Sequence, residues 1–102
     1  MMIFMAKFLI MDVFYITGVG TVIVGRVEDG TLRVGMKLNV SGKIMEVRSI
    51  EAHHKQMIEA NPGDPVGVSL RSNEDLLKKV FSLGNEDYNI LKSYKNKIVE
   101  FL

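Results

Sequence analysis

Two adjacent imidazoles, His53-His54, are the side chains best suited to bind a metal or move a proton near neutral pH. On an extended strand such neighbours point to opposite faces, and the chain offers no cysteine and no third histidine to complete a shell. They read as a polar pair at a loop edge. Glycine spacing supplies two further candidates. Gly18-x-Gly20 lacks a third glycine at position 23, which is isoleucine, and lies between apolar runs instead of opening a helix, so it is no dinucleotide fingerprint. Gly30 to Gly35 has the spacing of a phosphate loop, but Met36 stands at the lysine position and a strand-like run follows. These glycines read as turn residues. With no cysteine nucleophile, no Gly-x-Ser-x-Gly elbow and no carboxylate pair at a recognisable spacing, neither an enzyme nor a metal or cofactor site is expected.

The elements that would position any site are β-strands. Residues 8–17 and 21–29 form two apolar runs around Gly18-Val19-Gly20, the pattern of a hairpin that ends at the Asp29-Gly30 turn. Thr31 to Gly35 is a connector, Met36 to Val40 a short strand, and Ser41-Gly42 a tight turn. Lys43 to His53 is the next strand. Met45 and Val47 share a face there, while Ile50 falls three positions on, which predicts a bulge near Ser49. His54 to Ala60 reads as a loop or helical turn burying Met57 and Ile58, Asn61 to Asp64 as a turn, and Pro65 to Leu70 as a strand with Val66, Val68 and Leu70 on one face. Short strands joined by glycine turns predict an all-β fold, a small closed antiparallel barrel.

Beyond the barrel the pattern changes. Ser72-Asn73-Glu74-Asp75 has capping-box spacing and leads into a helical piece, Leu76 to Val80. Asn85-Glu86-Asp87 can cap a second helix with an apolar stripe of Ile90, Leu91, Tyr94, Ile98 and Phe101 or Leu102. The expected organisation is a barrel over residues 1–71, a segment 72–84 completing or covering it, and a short helical extension over 85–102.

The net charge is only +1, with eight Lys/Arg against seven Asp/Glu up to Arg71 and five against five beyond it. A duplex binder working mainly through phosphates carries a basic excess, so nucleic-acid contact here has to be local. The absence of cysteine suits a reducing cytosol. The apolar start, Met1 to Met11, is interrupted by Lys7 and lacks both a leading charge and a small-residue cleavage pattern, and no stretch is long enough to cross a bilayer. A cytoplasmic protein without a membrane partner is expected.

One order of residues is more specific than any of these signals. Ile10-x-Asp12-Val13-Phe14-x-Ile16-x-Gly18-x-Gly20-Thr21-Val22-x-x-Gly25-Arg26-Val27-Glu28-x-Gly30-x-Leu32-x-x-Gly35 resembles the second domain of the translational GTPases, the β-barrel of elongation factor Tu and elongation factor 1-alpha. Glu46-Val47-x-Ser49-Ile50-Glu51-x-His53-His54 and Pro62-Gly63-Asp64-x-Val66-Gly67 extend the resemblance, which covers about residues 8 to 71. These residues contain no Asn-Lys-x-Asp base-recognition motif, so GTP binding is not implied, and the chain resembles a free-standing copy of one barrel.

In elongation factors this barrel helps hold the 3′ end of aminoacyl-tRNA, and in translational GTPases generally it faces the small ribosomal subunit. Carried over by position, the resemblance places Asp12 and Phe14 beside the aminoacyl pocket, with Val24 and Arg26 on the next strand. Glu51 falls where the family has a glutamate near the terminal adenosine, and Gly67 and Val68 adjoin that pocket. Met11 stands where the bacterial factor has a second acid and Val24 where it has a threonine, which makes this pocket more apolar. The resemblance implies an RNA-binding or ribosome-associated module in translation, engaging a tRNA end or ribosomal RNA through the face of Phe14, Arg26, Glu51 and Arg71. The rival reading is a protein-interaction adaptor, or a homo-oligomer, docking through Ile90, Leu91, Tyr94 and Ile98.

Overall fold

The structure, a computed structural model, describes residues 5–72 and 86–102. Among these residues the strands are β1 (Ala6–Ile16), β2 (Gly20–Asp29), β3 (Leu32–Arg33), β4 (Lys37–Val40), β5 (Lys43–Ala52), β6 (Lys55–Met57), β7 (Glu59–Ala60), β8 (Pro65–Ser72) and β9 (Ile98–Phe101). One helix, α1 (Glu86–Lys92), precedes β9. The strands run in the order β4-β9-β1-β2-β8-β5, and β4 pairs again with β5, which closes a six-stranded antiparallel barrel. The expected fold class is therefore observed. β6 adds to the outer edge of β5, and β3 and β7 form a separate ribbon.

Alternation fills the barrel. Phe8, Ile10, Ile23, Val27, Met45, Val47, Ile50 and Val68 all point inward and are fully buried. Phe8 and Phe101 meet edge to face at 6.3 Å between centroids. Burial of each such side chain contributes roughly 1.5–3 kcal/mol. Gly25 sits where β1 and β2 come closest: a Cβ there would lie 1.8 Å from the carbonyl oxygen of Leu9, so no larger residue fits.

Besides an irregularity in β2, where Glu28 falls between the pairs Lys7–Asp29 and Phe8–Val27, two strands carry an extra residue. The expected bulge in β5 is present at Arg48, between the pairs Val47–Leu70 and Ser49–Ser69. A second, in β1, puts Met11 between the pairs Ile10–Gly25 and Asp12–Val24.

Three expectations are corrected. The strand expected to run to about His53 ends at Ala52, and His53 and His54, read as a polar pair at a loop edge, lie in the loop itself. They are the two corner residues of the β5–β6 hairpin, both left-handed at φ 53° and 64°, the conformation of a type I′ turn. Residues 55–60 form short strands rather than a loop or helical turn, and Ile58, expected inside, is 79% exposed. The stripe through Ile98 and Phe101 is not helical. The helix stops at Lys92, the turn that follows ends with Asn96 at φ 69°, and Ile98-Val99-Glu100-Phe101 then alternates exposed and buried as a strand should. The β-branched pair Ile98-Val99 and the free edge of β1 win over helix continuation, pairing Phe8 with Val99 and Ala6 with Phe101. The capping box at 72–75 and the helical piece 76–80 fall almost wholly outside the described residues.

α1 covers one end of the barrel. Leu91 is fully buried, Tyr88, Ile90 and Tyr94 pack partly buried against the core, and Asp87 forms an ion pair with Lys43 beside the β4–β5 turn.

Candidate nucleic-acid interface

The outer face of four neighbouring strands carries most of the residues singled out above. Register pairs Asp12 with Val24, Val24 with Gly67, and Gly67 with Glu51, so these four lie in one row across β1, β2, β8 and β5. The row ends on β6 at Gln56, opposite Glu51. Three strand spacings put Asp12 and Glu51 about 14 Å apart. The adjoining row is Phe14, Val22, Ser69 and Ser49, and the two serine hydroxyls are 2.5 Å apart.

Between the rows the surface is low. A Cβ on Gly67 would meet nothing closer than Val22 Cγ1 at 3.8 Å, so this position is a shallow dent with room for a flat group. Phe14 is 46% exposed and Val24 37% exposed, both on the β1–β2 side of the dent, and Glu51 is exposed on its β5 side. An aromatic ring, an aliphatic bed, accessible backbone and a carboxylate acceptor suit stacking against and edge recognition of a base.

The charges on this face are mostly engaged. Asp12 accepts a hydrogen bond from the amide of Val13 at 2.8 Å, and Lys95, from the turn after α1, and Lys92, from the end of α1, reach it at 3.7 and 3.8 Å. The Val13 amide first, then the two lysines, hold the carboxyl below its ordinary value. Tyr88 and, less strongly, Asp12 raise Lys92. Arg26 donates to Glu28 at 2.8 Å along the same strand, which raises its already high pKa.

Residues 20–75 match the family model for elongation factor Tu domain 2. The chain belongs to that family. This domain is 51% identical over 81 residues to elongation factor 1-alpha of Pyrobaculum calidifontis, an alignment covering 76% of this chain and 18% of that protein. It is 55% identical over 67 residues to elongation factor 1-alpha of Saccharolobus solfataricus, covering 64% of this chain and 15% of that protein. Among solved structures, apo translation elongation factor SelB from Methanococcus maripaludis superposes with a TM-score of 0.59 at 33% identity, over 67% of this chain and 15% of that one. The domain thus spans less than a fifth of the length of these relatives, and its homology is to translation factors. Both α1 and β9 lie beyond the matched segment.

Not every expected residue of the domain joins the row. Val68 is fully buried and points into the core, because it alternates with Gly67. Arg71 shares the outer face of β8 but stands opposite Glu46, four residues or about 13 Å from Gly67. Of the second set, Leu91 is buried and Ile90 and Tyr94 are partly covered by the domain's own core, whereas Ile98 is 54% exposed. Ile98 lines an open groove of about 560 Å³ with Leu38, Val40, Ile44, Tyr94 and Leu102. Among the described residues no three His, Asp or Glu side chains converge as a metal site would require, and no helix is long and apolar enough to cross a membrane. Lys92, Lys95 and Gln56 border the row without having been singled out. Gln56 was readable only from hairpin register, and nothing in the sequence links the lysines to Asp12, eighty residues earlier.

Proposed function

We propose that this domain is a non-enzymatic RNA-binding module of cytoplasmic translation, taking a tRNA 3′ end or a single-stranded stretch of ribosomal RNA. The observation that carries the reading is the row Asp12–Val24–Gly67–Glu51 with Phe14 half exposed beside it. A terminal base stacked on Phe14 over the Gly67 dent would present its edge or its ribose hydroxyls to Glu51, a contact needing few basic residues. That economy agrees with a net charge of +1. Arg26 and Arg71 supply charge at the borders of the same face. The adaptor reading has less to offer, since Leu91 is already buried and Ile90 and Tyr94 are half covered.

The test is an NMR titration of labelled protein with a short CCA-ended RNA and, separately, with ribosomal subunits at low salt. Shifts are expected at Phe14, Arg26, Glu51 and Gly67, and Phe14→Ala should weaken binding about tenfold, the effect of losing one stacked base. Gly67→Ala should weaken it while leaving the fold intact. Absence of shifts on this face at low salt refutes the reading, and a contact surface confined to residues 88–102 would restore the adaptor.

A further inference from the structure

Besides a 3.4 Å contact between the Tyr94 and Ser41 hydroxyls, the C-terminal turn is fastened to the barrel at the Met11 bulge. There the Ile10 amide donates to the carbonyl of Lys97 at 3.0 Å, and the Asn96 amide donates to the carbonyl of Ile10 at 2.6 Å. Leu91, buried on one side of this anchor, and β9 on the other leave the turn little freedom. Lys92 and Lys95 are thereby held at the open end of the row, beside Asp12. Both remain solvent-accessible, at 46% and 43% of the side chain. Two cations meet a single carboxylate here, whereas at the far end of the row Glu51 is acidic, and Arg26, two residues along β2 from Val24, is neutralised by Glu28. The face is therefore electrically polar, with its positive pole on the C-terminal turn.

We propose that Lys92 and Lys95 form the phosphate-contacting edge of this face: RNA whose terminal base lies over Phe14 and Gly67 runs its sugar–phosphate chain across the turn between α1 and β9. This rests on the RNA reading above and adds to it a second element, supplied from outside the segment that matches the family. In the free protein Asp12 holds the two ammonium groups in place and competes with phosphate for them. Phosphate contacts of this kind position a strand without reading its sequence.

The experiment is a fluorescence-anisotropy titration of the full chain with two labelled single-stranded RNAs of equal length, one ending in CCA and one not, between 50 and 200 mM salt. Each single-strand phosphate contact contributes about 0.7 to the slope of log affinity against log salt, so Lys92→Gln with Lys95→Gln should make the slope shallower by about 1.4. Binding of the double variant should then fall about sevenfold less than wild type across that salt range. The change is expected with both RNAs, and whichever wild type binds more tightly identifies the source of the strand. Asp12→Asn, which keeps the oxygen that accepts from Val13, should tighten binding by up to about fivefold by freeing two exposed cations. An unchanged slope in the double variant, a slope change seen with only one RNA, or weaker binding by Asp12→Asn overturns the proposal. Loss confined to this edge leaves the Phe14 and Glu51 shifts of the wild-type titration intact, whereas failure of wild type to bind either RNA overturns the RNA reading along with it.

Discussion

Replacing Asp87 tests how the C-terminal segment is held. Its Oδ1 lies 2.5 Å from Lys43 Nζ, and the two side chains are only 8% and 9% exposed. Asp87→Asn keeps the size and removes the charge, which leaves a desolvated ammonium facing an amide. Breaking a buried pair in this way costs about 3–5 kcal/mol. Lys43 keeps other interactions, so the lower end, about 3 kcal/mol, is expected. For a domain of this size that lowers Tm by about 12–24 °C. Amide exchange should localise the damage: Val99 and Phe101 lose protection first, because β9 pairs with β1 over four residues and with β4 through a single bridge. Lys43→Met with Asp87→Leu removes both charges and fills the space, and should return stability to within about 1 kcal/mol of wild type. A fall of less than about 2 °C in Asp87→Asn would show that the pair is solvated and that apolar contact at Leu91 alone docks the helix.

Three further outcomes follow from local geometry. Gly25→Ala should cost about 4 kcal/mol or more by urea unfolding, since its Cβ would overlap the Leu9 carbonyl oxygen at 1.8 Å and a backbone, not a flexible side chain, would have to move. His53→Asn with His54→Gly should raise stability by about 0.5–1 kcal/mol in the same assay, because both positions are left-handed and that pair suits a type I′ corner. Asp12 should titrate below 3.8 by carbon NMR. Since its folded value lies below its unfolded one, its contribution is complete above about pH 4 and is lost as pH falls through the folded value. The stability gap between wild type and Asp12→Asn should therefore close on acidification, and also in high salt because the lysines are exposed.

How legible the fold was depended on whether a strand's partners lay inside its own pattern. The bulge at Arg48 showed itself in the sequence as a three-residue step from Val47 to Ile50, and the same step from Ile10 to Val13 marks the bulge at Met11. The second step was masked by Met11 and Phe14, apolar residues on the solvent side that blur the alternation. Ile98 to Phe101 carried two conflicting signals, a helical stripe continuing from Ile90 and a period of two. Only the free edge of β1, a property of the closed barrel, decides between them. The row of Asp12, Val24, Gly67 and Glu51 was reachable through resemblance, whereas Val68 fell outside it by simple alternation with Gly67. The lysine contacts on Asp12 join positions eighty residues apart, and no periodicity encodes such a contact.

The Met11 bulge links the site to the barrel's closure. Without the bulge, with Met11 taken into a regular ladder, strict alternation from the buried Ile10 would turn Asp12 and Phe14 inward and Val13 outward, since a one-residue slip exchanges the two faces of a strand. With it, Val13 is 1% exposed and Phe14 46% exposed. The amide and carbonyl of Ile10 continue the β1–β9 ladder past Leu9–Ile98 into the C-terminal turn, which holds Lys92 and Lys95 by Asp12. Deleting Met11 would bring Asp12 directly after the buried Ile10 and still opposite Val24, so strict alternation keeps Asp12 and Phe14 outward and Val13 inward. The deletion variant is therefore expected to fold with Phe14 accessible and near-UV ellipticity retained, as is substitution of the 51% exposed Met11 by lysine. A deletion variant in which Phe14 becomes protected from solvent would show that alternation from Ile10 does not set the register of this face.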